Sequence, residues 1–227
     1  AYLVSHTSTN ISDLSILKLG PVDYQKCWQL QREIHEKVAT GDAKNTLIFV
    51  EHPSVYTAGR RTDIAERPQD GTPVIDVDRG GRITWHGPGQ IVGYPIVHLK
   101  NQSDVVGFVR QLEDAIIETL KEFDLLGISI PGRTGVWLKD QTERKIAAIG
   151  VRVAKGVTMH GFALNVNPDL SYFNRIIACG LPDVITTSMA QELDRQIEIP
   201  EIMEVLERQI VKALGNVSKN VVVSKVN

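Results

Sequence analysis

The chain has 227 residues, 42% of them hydrophobic, which is ample for one packed domain over residues 1–227. Its 25 basic and 27 acidic side chains leave a formal charge of −2, so total charge argues neither for nucleic acid nor for an anionic membrane. No apolar run approaches the roughly 20 residues of a membrane span, and the opening AYLVSHTSTNISD lacks the basic and apolar regions of a signal peptide; the expectation is a soluble, cytoplasmic protein.

LSILKLG, residues 14–20, alternates like a short strand, and Pro21 is expected to open a helix to about Val38 with Tyr24, Cys27, Trp28 and Ile34 on its buried stripe. TLIFVEH, residues 46–52, reads as an apolar strand and is followed by a turn-rich stretch from Pro53 to Gly71. VIDVD, residues 74–78, leads into RGGRITWHGPGQ, residues 79–90, a shaped loop whose glycines admit a close ligand. IVGYPIVHL, residues 91–99, reads as a strand in which Pro95 implies an edge or a bulge. A helix is expected from a Ser103 cap to about Leu126, with Val106, Val109, Ala115, Ile116 and Leu120 as its apolar positions. GVWL, KIAAIGVRVA and VTMHGFALNV are strand candidates, and short helices near Ser188–Asp194 and Glu201–Leu214 close the chain. Strands dominate the middle and helices flank them, so the class is α+β, or mixed α/β.

One register follows from this pattern. If Lys155 and Gly156 form a two-residue turn, Ala154 pairs with Val157 and Gly150 stands opposite Gly161. Facing glycines read either as a bulge or close helix contact, or as space for a ligand beside the small residues Ala147 and Ala148.

The chemistry-bearing residues leave several readings open. Cys179, between Ala178 and Gly180, is a nucleophile reached past small neighbours or a buried inert thiol, and Cys27 is core filling on a helix. Two distant cysteines without CxxC spacing suit free thiols in a reducing compartment. Lys145 abuts the apolar IAAIG, as a base or as an exposed strand-end lysine. His86 and His160 each precede glycine and read as general base, donor to a carbonyl, or satisfied polar group. The six histidines show no close ligand spacing, so no metal is expected, and no phosphate-binding glycine motif is present.

In order along the chain, EHPSVYTAGRRTD, DRGGRITWHGPGQIVGYP, GVWL, RKIAAIGVRV, MHGFALNV, ACGLPD and TTSMAQEL resemble the octanoyl-acyl carrier protein:protein N-octanoyltransferases, also called lipoate-protein ligase B or lipoyl/octanoyl transferase. The resemblance covers about residues 14 to 215. Ser54 stands where a second proline is expected, a difference placed in a surface loop. The resemblance implies a single domain similar to the catalytic domain of lipoate and biotin protein ligases, a mixed sheet flanked by helices with an acyl pocket between them. It implies Cys179 as acyl-thioester nucleophile and Lys145 as general base or thiolate stabiliser. It implies substrate contacts from Arg79, Gly80, Gly81, Arg82, Ile83, Thr84, Trp85 and His86, from Ala148, Ile149 and Gly150, and from Gly161, Phe162 and Ala163, with Trp85 and His86 shaping the pocket.

No cofactor and no ATP are expected, because a thioester donor is already activated. The implied donor is octanoyl-acyl carrier protein; the implied acceptors are lipoyl domains of 2-oxoacid dehydrogenase complexes and the glycine cleavage H protein, in the first step of endogenous lipoate biosynthesis. Arg60, Arg61, Arg79 and Arg82 are expected to guide acidic carrier domains. The rivals are an ATP-dependent lipoate or biotin ligase, a cysteine hydrolase using Cys179 with His86 or His160, and a module that binds an acyl carrier without catalysis.

Overall fold

Alternation in LSILKLGP and the unbroken apolar run NTLIFVE form the first two long strands, and the rest follows in chain order. The computed structural model describes residues 11–12, 14–177 and 184–223. The elements are β1 (Ile11–Ser12), β2 (Leu14–Pro21), α1 (Tyr24–Thr40), β3 (Asn45–Glu51), β4 (Val55–Ala58), β5 (Val74–Asp76), β6 (Ile83–His86), β7 (Gln90–Ile96), α2 (Val105–Lys121), β8 (Gly127–Ile130) and β9 (Arg133–Lys139). They continue with β10 (Glu143–Ala154), β11 (Val157–Asn165), β12 (Ile185–Thr186), α3 (Met189–Leu193), α4 (Ile199–Val217) and β13 (Val222–Val223), with 3-10 turns at Ile64–Glu66 and Leu170–Arg175.

The large sheet runs β2–β3–β7–β11–β10–β9–β8, with β12 alongside β10. It is mixed, because β2 and β3, and also β10 and β12, pair in parallel while its other pairs are antiparallel. Period-two alternation sends Leu47 and Phe49 into a core beneath α2 and α4, while Ile48 and Val50 face α1. Both faces are therefore apolar, and β7 and β11 are buried throughout, as is β3 up to Val50. Between the neighbouring strands β3 and β7 the chain leaves this sheet and builds a second one, β5–β4–β6. Among the described residues no helix is long and apolar enough to cross a membrane.

The fold class is the mixed α/β one expected, but several boundaries move. Pro21 ends β2 rather than opening α1, whose cap is Asp23, with its carboxylate accepting from the Lys26 N–H at 3.1 Å. The stripe of α1 is Tyr24, Cys27, Gln31, His35 and Val38; Trp28 and Ile34 are half-buried. Asp104, not Ser103, caps α2, accepting from Gly107 N–H at 2.8 Å, because the Ser103 hydroxyl bonds Asn101 instead. That helix ends at Lys121, and Val106 lies exposed while Phe108 and Leu112 take the buried face. The turn-rich stretch contains β4, and the glycine-rich loop contains β6.

Pro95 sits in a strand flanked on both sides and pairs in register with Leu47 of β3, so neither the edge nor the bulge expected for it is found. Its register with β11 stops at Phe162–Gly93, and beyond it the Thr158 hydroxyl donates to Pro95 O at 2.7 Å and accepts from Val97 N–H at 3.0 Å. The missing N–H of proline falls where the ladder is already interrupted.

Candidate active site

The roof of the site is the segment from Arg79 to His86. Its root is the Arg79 guanidinium, 7% exposed, which donates to Gly80 O and Arg82 O at 2.9 Å and to Thr57 O and Oγ1 at 3.0 and 2.9 Å. A buried cation is thus surrounded by oxygens that also bend the chain around it. Backbone bonds from Arg60 N–H to Arg79 O and from Arg61 N–H to Gly81 O fasten the roof to the end of β4. Past β6, the turn at Gly87–Gly89 is held by the Glu51 carboxylate, which accepts from Gly89 N–H at 2.6 Å. Gly89 has φ +93°, and a Cβ there would lie 2.6 Å from Pro168 N, so this turn admits no larger residue without strain.

The floor is the hairpin β10–β11. Its register is the expected one, with Ala154 opposite Val157 and Gly150 opposite Gly161. The gap between the glycines is filled by protein: a Cβ on Gly150 would lie 2.9 Å from Gly80 O, and one on Gly161 would strike Gly93 O. Glycine here lets the roof settle on the floor, where Gly80 N–H donates to Val151 O at 2.9 Å.

A bulge decides where Lys145 points. Lys145 pairs with Trp137 and Ala147 with Val136, so Ile146 is an extra residue in β10. That extra residue puts Lys145 on the same cavity wall as Ala148, which strict alternation would forbid. Lys145 is buried, with Nζ 5.4 Å from the centre of the Trp137 ring, on which the Arg133 guanidinium stacks from outside at 4.2 Å. Behind it, the buried Glu113 of α2 accepts from Gly135 N–H at 3.1 Å, and burial raises the carboxyl pKa. Thr186 of β12 lies beside Lys145, and Thr187 N–H donates to Lys145 O at 2.8 Å. Cys179 lies outside the described residues. Cys27 is buried in α1, and burial pushes its thiol up to about 12, which makes it inert.

At the inner end the walls are aromatic and polar. Tyr24 stacks on His86 with ring centres 6.0 Å apart and meets His52 edge-on at 5.1 Å. His52 Nδ1–H donates to Val22 O at 2.7 Å, so its Nε2 accepts from the Tyr94 hydroxyl at 2.7 Å. Gln90 donates to Trp85 O, leaving its carbonyl to accept from His86 Nδ1–H at 3.1 Å. Burial drives His86 down to about 3 and also lowers His52 and His160, so all three imidazoles are neutral near pH 7. His160, at φ +61° in the kink of β11, donates from Nε2 to Asp78 at 2.6 Å. Asp78 also accepts from Arg152 at 2.5 Å, and the His160 hydrogen bond, with the Arg152 charge beside it, holds its carboxyl at about 2.

These walls enclose a cavity of about 320 Å³. Arg61, Gly81, Gly132 and Thr134 form an exposed mouth, whereas Tyr24, Val92, Tyr94, His160 and Phe162 are buried at the inner side. Of the expected contacts, Arg79, Gly81, Arg82, Ile83, Thr84, His86, Ala148, Ile149, Gly150, Gly161, Phe162 and Ala163 line it, as does Lys145. Gly80 and Trp85 do not. Trp85 points away into a small cluster with Tyr56, Ile83 and Ile176, stacked on Tyr172 at 4.8 Å, so it supports the roof from behind and does not shape the pocket. Its indole N–H donates to Ser54 Oγ at 2.9 Å, which gives the unexpected serine a structural partner. Tyr24, Val92, Tyr94, Trp137, Arg133 and Thr134 are additional lining residues. Tyr24 carried a signal as part of the helix stripe, but nothing in the sequence separated it from ordinary core.

Of the four arginines expected to guide acidic carrier domains, two do other work. Arg79 is buried in the roof, and Arg82 is bonded to Asp63 and Glu66. Arg60 and Arg61 are exposed.

The arrangement suits a linear, largely apolar group with a reactive end near Lys145. Comparison with known proteins points the same way. Residues 23–211 match the family model described as the lipoyl protein ligase A/B catalytic domain. An octanoyltransferase of Salinispora arenicola is 50% identical over 211 residues, covering 92% of this chain and 99% of that one. An octanoyltransferase of Mycobacterium tuberculosis is 48% identical over 209 residues, covering 92% and 90%. Among solved structures, a lipoate protein ligase from T. acidophilum with bound lipoic acid aligns with TM-score 0.66 at 18% identity, over 88% of this chain and 85% of that one. A biotin protein ligase from Aquifex aeolicus aligns with TM-score 0.54 at 14% identity, over 89% and 71%. At those identities the solved structures speak for the fold.

Proposed function

The chain belongs to the lipoyl protein ligase A/B catalytic-domain family, and from that premise we propose that its octanoyl transfer proceeds through an acyl-thioester on Cys179 with Lys145 as proton carrier. It is an octanoyltransferase of lipoate biosynthesis, taking an acyl donor and a lipoyl-protein acceptor. The donor in this reading is octanoyl-acyl carrier protein; the acceptors are lipoyl domains of 2-oxoacid dehydrogenase complexes and the glycine cleavage H protein. The described residues act as a single catalytic domain in the cytoplasm, where the thiol pool keeps Cys179 reduced.

The observation that carries the reading is Lys145, a buried lysine turned by a bulge onto the wall of the cavity. Thr186, seven residues after Cys179 in the chain, runs beside it. A thiol with a pKa of about 8.5 is mostly protonated at neutral pH. Lys145 takes the proton of Cys179, and the thiolate attacks the donor carbonyl. The C–S bond to the carrier breaks, and the carrier sulfur leaves with the proton from Lys145. In the second half, the acceptor lysine amine attacks the Cys179 thioester and gives a proton to Lys145. The amide forms, and Cys179 leaves and is reprotonated by Lys145. The chain lies along Ala148, Phe162 and Ala163, whose apolar surfaces replace water around it.

Two measurements test this. Intact mass after incubation with octanoyl-acyl carrier protein, without ATP, is expected to rise by one octanoyl group, removable by hydroxylamine and absent from Cys179→Ala. A requirement for ATP, or a mass gain that Cys179→Ala retains, would replace the reading with a ligase or passive binding. Lys145→Arg is expected to lower transfer at least a thousandfold, since arginine keeps the charge but cannot carry the proton; turnover within tenfold of the wild type would remove the base role.

A further inference from the structure

We infer that Tyr24, His86 and Tyr94, braced from behind by His52, form the stop that sets how long an acyl chain the cavity accepts. The inference rests on the acyl-transfer reading and adds the residues that set chain-length specificity.

The position of the wall follows from the sheet. The mouth is marked by the exposed Arg61, Gly132 and Thr134, and Lys145 lies just below it, under Trp137 and Arg133. Ile149 pairs with Phe162, and Phe162 with Gly93, so Tyr94 lies at the level of Gly150 in β10, two strands away. Five residues of strand, roughly 16 Å, and two strand spacings, about 10 Å, separate the backbones of Lys145 and Tyr94. With side chains reaching in from both ends and a volume of about 320 Å³, the room left suits a chain of medium length.

The stiffness of the wall follows from its hydrogen bonds. An apolar end wall of leucine or methionine repacks around an extra methylene, because no polar group is lost when it moves. Here Tyr94 is tied to His52 Nε2, and His52 to Val22 O, while the rings of Tyr24, His52 and His86 pack mutually, with centres 5.1 to 6.0 Å apart. His86 is fixed in turn by Gln90, whose own amide is held by Trp85 O. Swinging Tyr94 aside orphans a buried hydroxyl and a buried imidazole together, so the wall resists where an apolar one yields. A longer chain therefore leaves its extra methylenes outside, each worth about fourfold in transfer efficiency.

The test is kcat/KM for acyl-carrier thioesters from hexanoyl to tetradecanoyl, with the wild type, Tyr24→Val, Tyr94→Val and Val92→Phe, alongside thermal stabilisation of each protein by free fatty acids of the same lengths. Ratios between chain lengths are read, so a variant with a smaller folded fraction still reports. Tyr24→Val and Tyr94→Val are expected to raise the decanoyl-to-octanoyl ratio about tenfold, and Val92→Phe, which fills the inner end, to shift preference toward hexanoyl. Variants that weaken every length alike, or leave the ratios unchanged in both measurements, overturn the inference. If the wild type transfers no acyl group yet the fatty-acid length limit moves as expected in the variants, the stop stands and the proposed function falls.

Discussion

Eight successive Cα pairs tie β10 to β11 along the floor of the cavity, whereas the roof above it is held by the short β4–β6 pairing, a few scattered backbone bonds and one buried guanidinium. Backbone ladders form with almost any side chain, so the floor leaves its residues free to serve the ligand, as Ala148 and Lys145 do. The roof has no ladder beyond the short β4–β6 pairing, and its shape is written in particular side chains: Arg79, Glu51 and Gln90. Away from Gly150 and Gly161, where a Cβ would strike backbone, the floor is expected to tolerate substitution better than the roof.

Removing the hub of the roof should have the largest effect on stability. Arg79→Met leaves the carbonyls of Thr57, Gly80 and Arg82 without their donor, and is expected to cost about 2–4 kcal/mol in urea unfolding and to bring transfer below a hundredth. A floor substitution such as Val153→Ala, at a half-buried ladder position, should cost about 1 kcal/mol or less and retain most transfer. Equal losses at the two positions would erase the distinction.

Acid separates the walls next. The folded state keeps His86 unprotonated down to about 3, while the unfolded chain binds a proton near 6.5, so stability is full above 6.5 and falls as pH drops below it. The slope is about 1.4 kcal/mol per pH unit for one such imidazole. His52 and His160 are displaced in the same direction, and Asp78, held at about 2, adds a further loss as pH falls below 3.8. The melting temperature should therefore decline between pH 6.5 and 5, less steeply in His86→Gln; a flat profile over that range would mean that the inner end is wet.

Smaller effects sharpen the picture. Trp85→Phe keeps the ring stacked on Tyr172 but loses the hydrogen bond to Ser54, for about 0.5–1.5 kcal/mol with transfer nearly intact, as expected of a residue behind the roof. Smallest of all, Arg61→Gln at the exposed rim should leave stability unchanged and weaken carrier association a few-fold at low salt, a difference that vanishes at high salt. Loss that persists at high salt would point to a contact inside the cavity.

Much of the floor was legible in the chain itself. A Lys-Gly turn between two alternating runs fixes a register, and the pairing of Gly150 with Gly161 followed from counting. The roof was legible as a place but not as a structure, because four glycines hide the four-residue strand Ile83–His86 among them. No residue type announces the bulge at Ile146, which becomes visible only when β9 and β10 are aligned. Tyr24 and Tyr94 look like core in any amphipathic helix or buried strand, and their service as an end wall depends on His52 and His86 arriving from elsewhere. The roles of Lys145 and the roof residues came from family resemblance, since single residues in a loop or at a strand end carry no periodicity to read.

The roof is an excursion between two strands that are neighbours in the large sheet, β3 and β7. Joining those strands closes a loop of roughly forty residues, an entropic charge that long-range pairing must offset during folding. The cavity is complete only where Arg79 and the Gly80–Val151 bond hold the excursion against β10. Amide hydrogens of residues 79–86 should then exchange sooner than those of the β10–β11 ladder, so that the binding chamber comes apart before the floor beneath it.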